Sequence, residues 1–282
     1  MNALKIRKYL NNFLILIIVL IILIITLFPI YWTLSSSLTG SKYLFSSPAK
    51  YYPVGGITFE SYITVISKIG YSRNFLNSII LATLSSGIAT ILSFIAAYAF
   101  SRINFRFKNL IFYLIVSSML IPQISTVLPM FKIYGALHLF NKLWGLVILD
   151  VGLLIPFSAW IFTTFINNIP KELEEAALID GVNIFGHLIR IIGPILKQSL
   201  GAIFLINFVT SWNELLFAIL FVIDNSQLPL SGALVKMSAS HMMATPWNTL
   251  SAGSMIMITP IIILSIVFQK QLVGGWTAGS IK

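Results

Sequence analysis

Residue types that carry catalytic chemistry are scarce and dispersed in this sequence. Cysteine is absent, which excludes disulfides, thiolate nucleophiles and cysteine metal sites. The three histidines, His138, His187 and His241, lie far apart and show no spacing typical of metal ligands. Neither an H-E-x-x-H nor a G-x-S-x-G motif is present, and no G-x-x-x-x-G-K-[ST] phosphate-binding loop occurs. We therefore predict no catalytic residue, no metal site and no cofactor bound by this chain.

One polar group inside an apolar run offers binding chemistry. Trp212-Asn213-Glu214 combines a stacking plane, an amide and a carboxylate. Hydroxyl hydrogen bonds together with an apolar ring face are the contacts that a sugar site uses. A carboxylate at membrane depth costs a few kcal/mol unless it faces protein or water, so we expect Glu214 to face the interior. The alternative is that the three residues form an interhelical contact that fixes this chain to a second subunit.

The composition places these residues in a membrane protein. The chain is 57% hydrophobic and 9% charged, with a mean hydropathy of +0.93, whereas about 25% of residues are charged in soluble domains. Apolar runs near 20 residues match the hydrocarbon core, and their backbone groups must be satisfied within the helix. We predict an all-α integral membrane protein, a single domain over 1–282 with six spans. The predicted spans are 13–32, 75–100, 110–131, 143–166, 199–223 and 249–273.

Basic residues predict the orientation of these spans. Eleven of the 18 Lys and Arg residues fall on the side that carries both termini, and this side is cytoplasmic by the positive-inside rule. The N-terminal run resembles a signal peptide, but no small-residue cleavage site follows it, so we interpret it as an uncleaved first span. The net charge of +10 is spread singly among the loops, which argues against nucleic-acid binding.

Two spans differ from plain lipid-facing helices. The second is rich in Ala, Ser and Gly and is predicted to be buried among its neighbours. The third contains Pro122, Gln123 and Pro129, so we expect a kink, and we include Gln123 among the pathway candidates. Such kinks suit a translocation pathway but also occur as packing features.

The fourth span contains a carboxylate, Asp150. We consider three alternatives for this residue: it contacts the substrate, it pairs with a neighbouring span, or it lies close enough to the outer surface to be hydrated.

The loop 167–198 between spans four and five concentrates the acids of the chain. Of eight Asp and Glu residues, four lie within it, at Glu172, Glu174, Glu175 and Asp180. Pro170 and Gly181 bound a short predicted helix, and Asn183 is predicted to cap a second helix that ends at Pro194. On this second helix, four apolar residues are predicted to share one face, namely Phe185, Leu188, Ile189 and Ile192. An interfacial hairpin is the alternative, but clustered carboxylates fit a protein partner better than an anionic leaflet.

At these residues the chain resembles a known family. Glu175-Ala176-Ala177, followed by Gly181 and Pro194, resembles the EAA loop of permeases of ATP-binding-cassette importers, although Gly193 stands where leucine is expected. Further motifs, spaced nearly end to end, resemble the MalG-like carbohydrate branch. They are Phe28-Pro29-Ile30-Tyr31-Trp32, Asn74-Phe75-Leu76-Asn77-Ser78, Ala96-Ala97-Tyr98-Ala99-Phe100-Ser101-Arg102, Trp212-Asn213-Glu214 and Thr277-Ala278-Gly279-Ser280.

The resemblance implies the role of a non-catalytic permease subunit in a prokaryotic plasma membrane. It implies a second, MalF-like permease, an ATPase dimer that uses ATP, and an extracytoplasmic sugar-binding protein. The loop 167–198, called the coupling loop below, is implied to dock on the ATPase. The implied coupling residues are Glu175, Ala176, Ala177, Leu178, Asp180, Gly181 and Pro194, and the pathway candidates are Gln123, Trp212, Asn213 and Glu214.

The residues were also compared with three alternative functions. An ion-coupled secondary transporter is expected to have two related halves and intramembrane coupling residues, and neither is visible. An intramembrane enzyme needs converging nucleophiles, bases or metal ligands, which the motif search does not find. A permease of the same superfamily for a solute other than sugar remains an alternative, because the sequence does not identify the substrate.

Overall fold

The computed structural model describes residues 2–45, 51–68, 71–170, 172, 182–240 and 247–277, and within these residues it contains helices and connecting loops but no strand. The predicted all-α class is therefore confirmed. The α-helices are α1 (Asn2–Ser37), α2 (Glu60–Ile63), α3 (Tyr71–Arg102), α4 (Lys108–Ser117), α5 (Gln123–Ala136), α6 (Leu143–Asn167), α7 (Ile184–His187), α8 (Gly193–Ile195), α9 (Lys197–Trp212), α10 (Leu216–Phe221), α11 (Leu230–Ser240) and α12 (Trp247–Thr277). Short 3₁₀ and π turns continue some of them.

The helices include enough apolar spans for the predicted number of six. Four are long and apolar enough to cross a membrane singly, namely Tyr9–Ser37, Tyr71–Arg102, Leu143–Asn167 and Trp247–Gln269. Two bent pairs of helices pass the same test when each pair is taken as one span. With both pairs included, the candidate spans number six by length and composition, and the second pair contains the segment Ile184–Ile195 of the coupling loop.

The third predicted span, 110–131, is broken rather than merely kinked. Its two parts, Lys108–Leu120 and Gln123–Ala136, meet at an angle of 107°. Pro122 lies at the break, and a residue that precedes proline is disfavoured in the helical region. Accordingly, Ile121 adopts an extended conformation with φ −79° and ψ 119°.

The fifth predicted span, 199–223, is wrong as a single helix. α9 ends at Trp212, residues 213–215 are not helical, and α10 begins at Leu216. The Asn213 side-chain amide donates to the carbonyl of Val209 (2.8 Å), so a side chain takes over a backbone acceptor where the helix ends. At its other end α9 follows the segment Ile184–Ile195 at an angle of 84°.

By its contacts the chain divides into two compact units, Met1–Gly70 with Lys236–Ile258 and Tyr71–Val235 with Thr259–Lys282. In the first unit the end of α1 is hydrogen-bonded to α2, because the hydroxyls of Ser37 and Tyr62 lie 2.8 Å apart. Asn248 donates to the Ser41 hydroxyl at 2.9 Å. The most apolar window of α1 has no buried residue within the chain.

In the second unit α3 packs closely along α6. Three serine hydroxyls, eight positions apart on α3, donate to carbonyls eight positions apart on α6. The pairs are Ser85 to Val147 (3.5 Å), Ser93 to Ile155 (3.3 Å) and Ser101 to Thr163 (3.4 Å). Most of the small residues of α3 are buried, which confirms the predicted burial of the second span. Small side chains permit this approach, and the hydroxyls add interhelical bonds in a medium without water.

Two apolar clusters lie in this unit. The first joins residues of α3, α5, α6 and α10 and includes Leu81, Tyr134, Leu146, Phe217 and Phe221. The second joins the later parts of α3 and α6 to the coupling loop and α9, and includes Phe94, Ala97, Phe162, Ile166, Leu188, Ile192 and Ile203.

A larger side chain on the buried face of α3 is expected to disrupt this packing. Ala82 is fully buried, whereas its neighbour Thr83 is exposed. Ala82→Leu should destabilise the folded chain by about 1–3 kcal/mol through overpacking. The measurement is thermal aggregation of the detergent-solubilised protein, with Thr83→Leu as the matched control that ends in the same side chain. Equal behaviour of the two variants would contradict close packing at this face.

Candidate functional site

The coupling loop contains the predicted contact with the ATPase. Six of its candidates, Glu175, Ala176, Ala177, Leu178, Asp180 and Gly181, lie outside the described residues. The seventh, Pro194, lies in α8, and the chain stays helical to Ile195. The prediction that Pro194 ends the helix is therefore wrong by one residue.

The second helix of the coupling loop begins as the sequence predicts. The Asn183 side-chain oxygen accepts a hydrogen bond from the backbone N–H of Gly186 at 2.7 Å, so Asn183 is the N-cap. After α7 the chain forms a π turn over Leu188–Ile192 before α8. Pro194 follows this wide turn and has no N–H to donate into a regular helix.

The predicted apolar face of this helix is wrong in part. Leu188 and Ile192 are buried, but Phe185 and Ile189 are each 67% exposed. A π turn changes the direction in which successive side chains point, so an i, i+3, i+4, i+7 pattern no longer describes one face. Two of the four residues thus pack on the spans, and the other two remain on the surface of the chain.

The buried side of the loop docks on three spans. Leu188 and Ile192 belong to the apolar cluster that contains Ala97 of α3, Phe162 of α6 and Ile203 of α9. Burial of such side chains contributes about 1.5–3 kcal/mol each when the surface is removed from water. This half of the coupling loop is therefore a fixed part of the helical bundle.

Polar bonds from the end of α3 reach the same loop. Arg102 Nη2 donates to the carbonyls of Ile166 (2.8 Å), near the end of α6, and Ile169 (2.9 Å), just after this helix. The Tyr98 hydroxyl and His187 Nδ1 are joined by a buried hydrogen bond of 3.0 Å. These bonds connect α3 to the start and to the second half of the coupling loop.

Trp212 is a packing residue in this structure. Its side chain is only 1% exposed. Its ring stacks on Phe208 at 5.7 Å and meets Phe75 edge-on at 5.8 Å. The faces of the indole are thus occupied by protein, and the predicted stacking on a sugar finds no exposed ring here. Within this chain the residue makes an interhelical contact, since Phe75 belongs to α3, and a contact with a second subunit stays a prediction.

Asn213 and Glu214 occupy the break between α9 and α10. Glu214 is half-buried and its Oε1 accepts from the N–H of Phe217 at 2.7 Å, which satisfies a free donor at the start of α10. The Ser231 hydroxyl donates to the Glu214 backbone carbonyl. Asn213 has an exposed side chain. Gln123 is also exposed and stands at the first position of α5, directly after the Pro122 break.

A buried polar seam, made of Thr90, Asp150, Ser158, Asn207 and Ser211, joins α3, α6 and α9. Asn207 donates to the Thr90 hydroxyl (3.1 Å) and accepts from Ser158 (3.0 Å). One turn along α9, the Ser211 hydroxyl donates to the Asp150 carboxylate, which is 3% exposed. Of the alternatives for Asp150, the pairing with a neighbouring span is the one found.

Comparison with known proteins identifies the fold and the family. The family "Binding-protein-dependent transport system inner membrane component" matches residues 89–275. The chain belongs to this family. It is 33% identical over 98% of both chains to the trehalose/maltose transport system permease protein MalG of Thermococcus litoralis. It is also 32% identical to the sulfoquinovosyl glycerol transport system permease protein SmoH of Agrobacterium fabrum, over 91% of this chain and 89% of that one.

A solved structure shows the same fold. The permease aligns with a chain of a bacterial ABC transporter involved in the import of the acidic polysaccharide alginate, with a TM-score of 0.79 and 21% identity. The alignment covers 96% of this chain and 98% of that one. The predicted recognition as a permease subunit is confirmed, and the protein is a multi-pass membrane protein. Among the described residues no group of three potential metal ligands occurs.

Sequence reasoning missed the residues that connect the parts of the permease. The polar seam and the Tyr98 and Arg102 bonds were not predicted, and the motif Asn74-Phe75-Leu76-Asn77-Ser78 was noticed without a role. Each case includes one pair of polar residues three or four positions apart in an apolar helix, namely Asn207 and Ser211, Tyr98 and Arg102, and Asn74 and Asn77. Such residues lie on one face and require buried partners.

The motif Asn74-Phe75-Leu76-Asn77-Ser78 holds the segment before α11 by hydrogen bonds. Asn74 Nδ2 donates to the carbonyls of Asn225 (2.7 Å) and Leu228 (2.8 Å). Asn77 Nδ2 donates to those of Ser226 (2.9 Å) and Leu228 (3.0 Å). Both amides are buried, and so is Leu228, which accepts a bond from each, so water has little access there as a substitute partner.

Loss of one amide is expected to loosen this segment. Asn74→Ala should remove the side-chain donor of the Asn225 carbonyl and one of the two donors of the buried Leu228 carbonyl, at a cost of about 1–3 kcal/mol. Limited proteolysis of the segment 223–229 in the purified protein measures the effect, and cleavage should become faster. Asn109→Ala changes the same residue type at an exposed position and serves as control. Unchanged cleavage in Asn74→Ala would show that the loop is held by other contacts.

Proposed function

We propose that this permease forms half of the translocation pathway of an ATP-driven importer for a sugar or oligosaccharide. The observation that carries the proposal is the near full-length similarity to permeases whose names specify sugar transport, with the MalG protein aligned over 98% of both chains. The trehalose transport system permease protein SugB of Mycobacterium tuberculosis, 28% identical over 91% of this chain, belongs to the same group.

The partners follow from the family and from the sequence. No phosphate-binding loop of the G-x-x-x-x-G-K-[ST] type occurs in the sequence, so ATP is hydrolysed on a separate ATPase dimer. A second, MalF-like permease completes the pathway, and an extracytoplasmic binding protein delivers the sugar. Both termini lie in the cytoplasm of a bacterial or archaeal cell, which places the acidic coupling loop on the side of the ATPase.

The coupling loop supports this assembly through its packing. Its second half is fixed on α3, α6 and α9 by Leu188 and Ile192, so a force applied to the loop reaches three spans at once. The ATPase dimer pushes on the loop when it closes, and the spans tilt between inward-open and outward-open states. Glu175, Ala176, Ala177, Leu178, Asp180 and Gly181 make the contact, with Pro194 at its far end.

Two exposed amides are the best candidates for contact with the sugar. Gln123 and Asn213 both stand at breaks in spanning helices. Irregular backbone at membrane depth is tolerated where it is buried in protein or lines a water-filled cavity. An amide supplies both a donor and an acceptor for sugar hydroxyls. Trp212 and Glu214 support this wall of the pathway by packing and by capping.

The test of the function is ATP-dependent uptake by the complete complex in proteoliposomes. The permease is purified with its partner permease, ATPase and binding protein, and radiolabelled disaccharides and oligosaccharides are compared with amino acids and phosphate. Uptake of a sugar that requires both ATP and the binding protein is the expected result. Uptake of a non-sugar solute only, or uptake by the isolated chain in an ion gradient, would overturn the proposal.

One substitution tests the coupling contact. Gly181→Arg should clash with the cleft of the ATPase, because a large side chain replaces one that permits tight seating. Stimulation of ATP hydrolysis by the loaded binding protein should fall at least about tenfold, which corresponds to ~1.4 kcal/mol of coupling. Asn109→Arg adds the same charge at an exposed position and should hydrolyse ATP normally. Normal stimulation in Gly181→Arg would refute the docking role of the loop.

A second pair of substitutions tests the amides. Gln123→Ala and Asn213→Ala should each reduce the rate of sugar uptake about fivefold or more, since a hydrogen bond to the substrate is lost. The affinity of the binding protein for the sugar should stay unchanged, because that site is on another polypeptide. The control is Asn109→Ala. If both variants transport at the wild-type rate, the pathway does not pass these amides.

A further inference from the structure

The last turn of α3 bonds to two separate points of the chain in and near the coupling loop. At the start of the loop, Arg102 donates to the carbonyls of Ile166 and Ile169. In the second half of the loop, Tyr98 bonds to His187. Tyr98 and Arg102 are four positions apart and lie on one face of the helix. The loop between these points is therefore held at both ends by a single turn of one spanning helix.

The imidazole of His187 has one polar restraint in the described chain. Its side chain is 2% exposed, and within the residues that the structure describes Nε2 has no hydrogen-bond partner. The ring packs beside that of Tyr98 with centroids 5.7 Å apart. A buried polar ring with one satisfied nitrogen is oriented by that bond, because the loss of the bond leaves both nitrogens unpaired.

The position of this bond is suited to transmit movement. His187 directly precedes the buried Leu188, so the polar bond and the apolar contact of the loop occupy consecutive residues. Apolar contacts allow a side chain to slide between several similar packings, whereas a buried hydrogen bond fixes one direction and one distance. When the loop is displaced at His187, the hydrogen bond therefore requires Tyr98 of α3 to move with it.

We propose that Tyr98 and His187 are positioning residues that transmit the movement of the coupling loop to α3. This inference rests on the proposed function, since it assumes that an ATPase acts on the loop. It assigns to the buried pair a share of the coupling between ATP hydrolysis and the spans. Arg102 holds the other side of the loop and keeps the distance between the two points constant.

Three variants isolate the hydrogen bond from the packing. Tyr98→Phe keeps the ring and removes the hydroxyl. His187→Gln places an amide near the position of Nε2 and vacates that of Nδ1, while His187→Asn places an amide near Nδ1 and retains a partner for Tyr98. Tyr113→Phe is the matched control, because it removes a hydroxyl from a ring that is two-thirds exposed. All are assembled with the partner permease, ATPase and binding protein.

The readout is the ratio of ATP hydrolysis with sugar-loaded binding protein to hydrolysis without it, per assembled complex. Tyr98→Phe and His187→Gln should each lower this ratio about threefold or more, as expected for a lost buried hydrogen bond. The double variant should be no worse than the poorer single one, since both remove the same interaction. His187→Asn and Tyr113→Phe should keep the ratio near the wild-type value. A purely structural role would reduce the amount of complex and leave the ratio unchanged.

Two results would overturn the inference. One is a wild-type ratio in Tyr98→Phe and His187→Gln, and the other is a full additive loss in the double variant. Failure of the proposed function has a separate signature, because it appears in the wild-type complex as the absence of sugar-stimulated hydrolysis. A wild-type complex that responds to sugar while the variants respond equally well rejects the inference alone.

Discussion

The close contact of α3 with α6 is the interaction on which the rest of the permease depends. In a bilayer no hydrophobic force draws helices together, so association relies on close packing and on polar bonds between helices. The small residues of α3 supply the first, and Ser85, Ser93 and Ser101 supply the second with bonds to the α6 backbone. α9 joins this pair through the polar seam at Asn207. The coupling loop packs on the surface that these three helices form together.

Features of the sequence that depend on periodicity or composition were predictable. The membrane class, the helical fold and the burial of the second span follow from hydropathy and small residues, and the structure agrees with them. Asn183 was predictable as a cap because its chemistry is local. Family membership followed from motifs distributed along the whole chain, and the comparisons confirm it.

The errors have a common physical origin in local departures from the regular α-helix. The prediction of one apolar face on the second loop helix was wrong in part because a π turn over Leu188–Ile192 alters the angular spacing of the side chains. The prediction of one helix for the fifth span was wrong because Asn213 and Glu214 bond to nearby backbone groups and end the helix inside an apolar run. Hydropathy measures whether a segment prefers lipid, and it carries no information about such bonds. The contacts of the polar seam were not predicted for another reason, because the residues that it joins across α3, α6 and α9 are far apart in the sequence.

α3 is hydrogen-bonded to loops near both of its ends, so the positions of these loops depend on the same helix. Asn74 and Asn77 hold the segment before α11 near the first turn, and Tyr98 and Arg102 hold the coupling loop at the last. The 32 residues of this helix extend about 48 Å at the rise of an α-helix. One continuous helix thus connects one set of bonds to the other. A displacement of α3 as a single body would therefore shift both loops together.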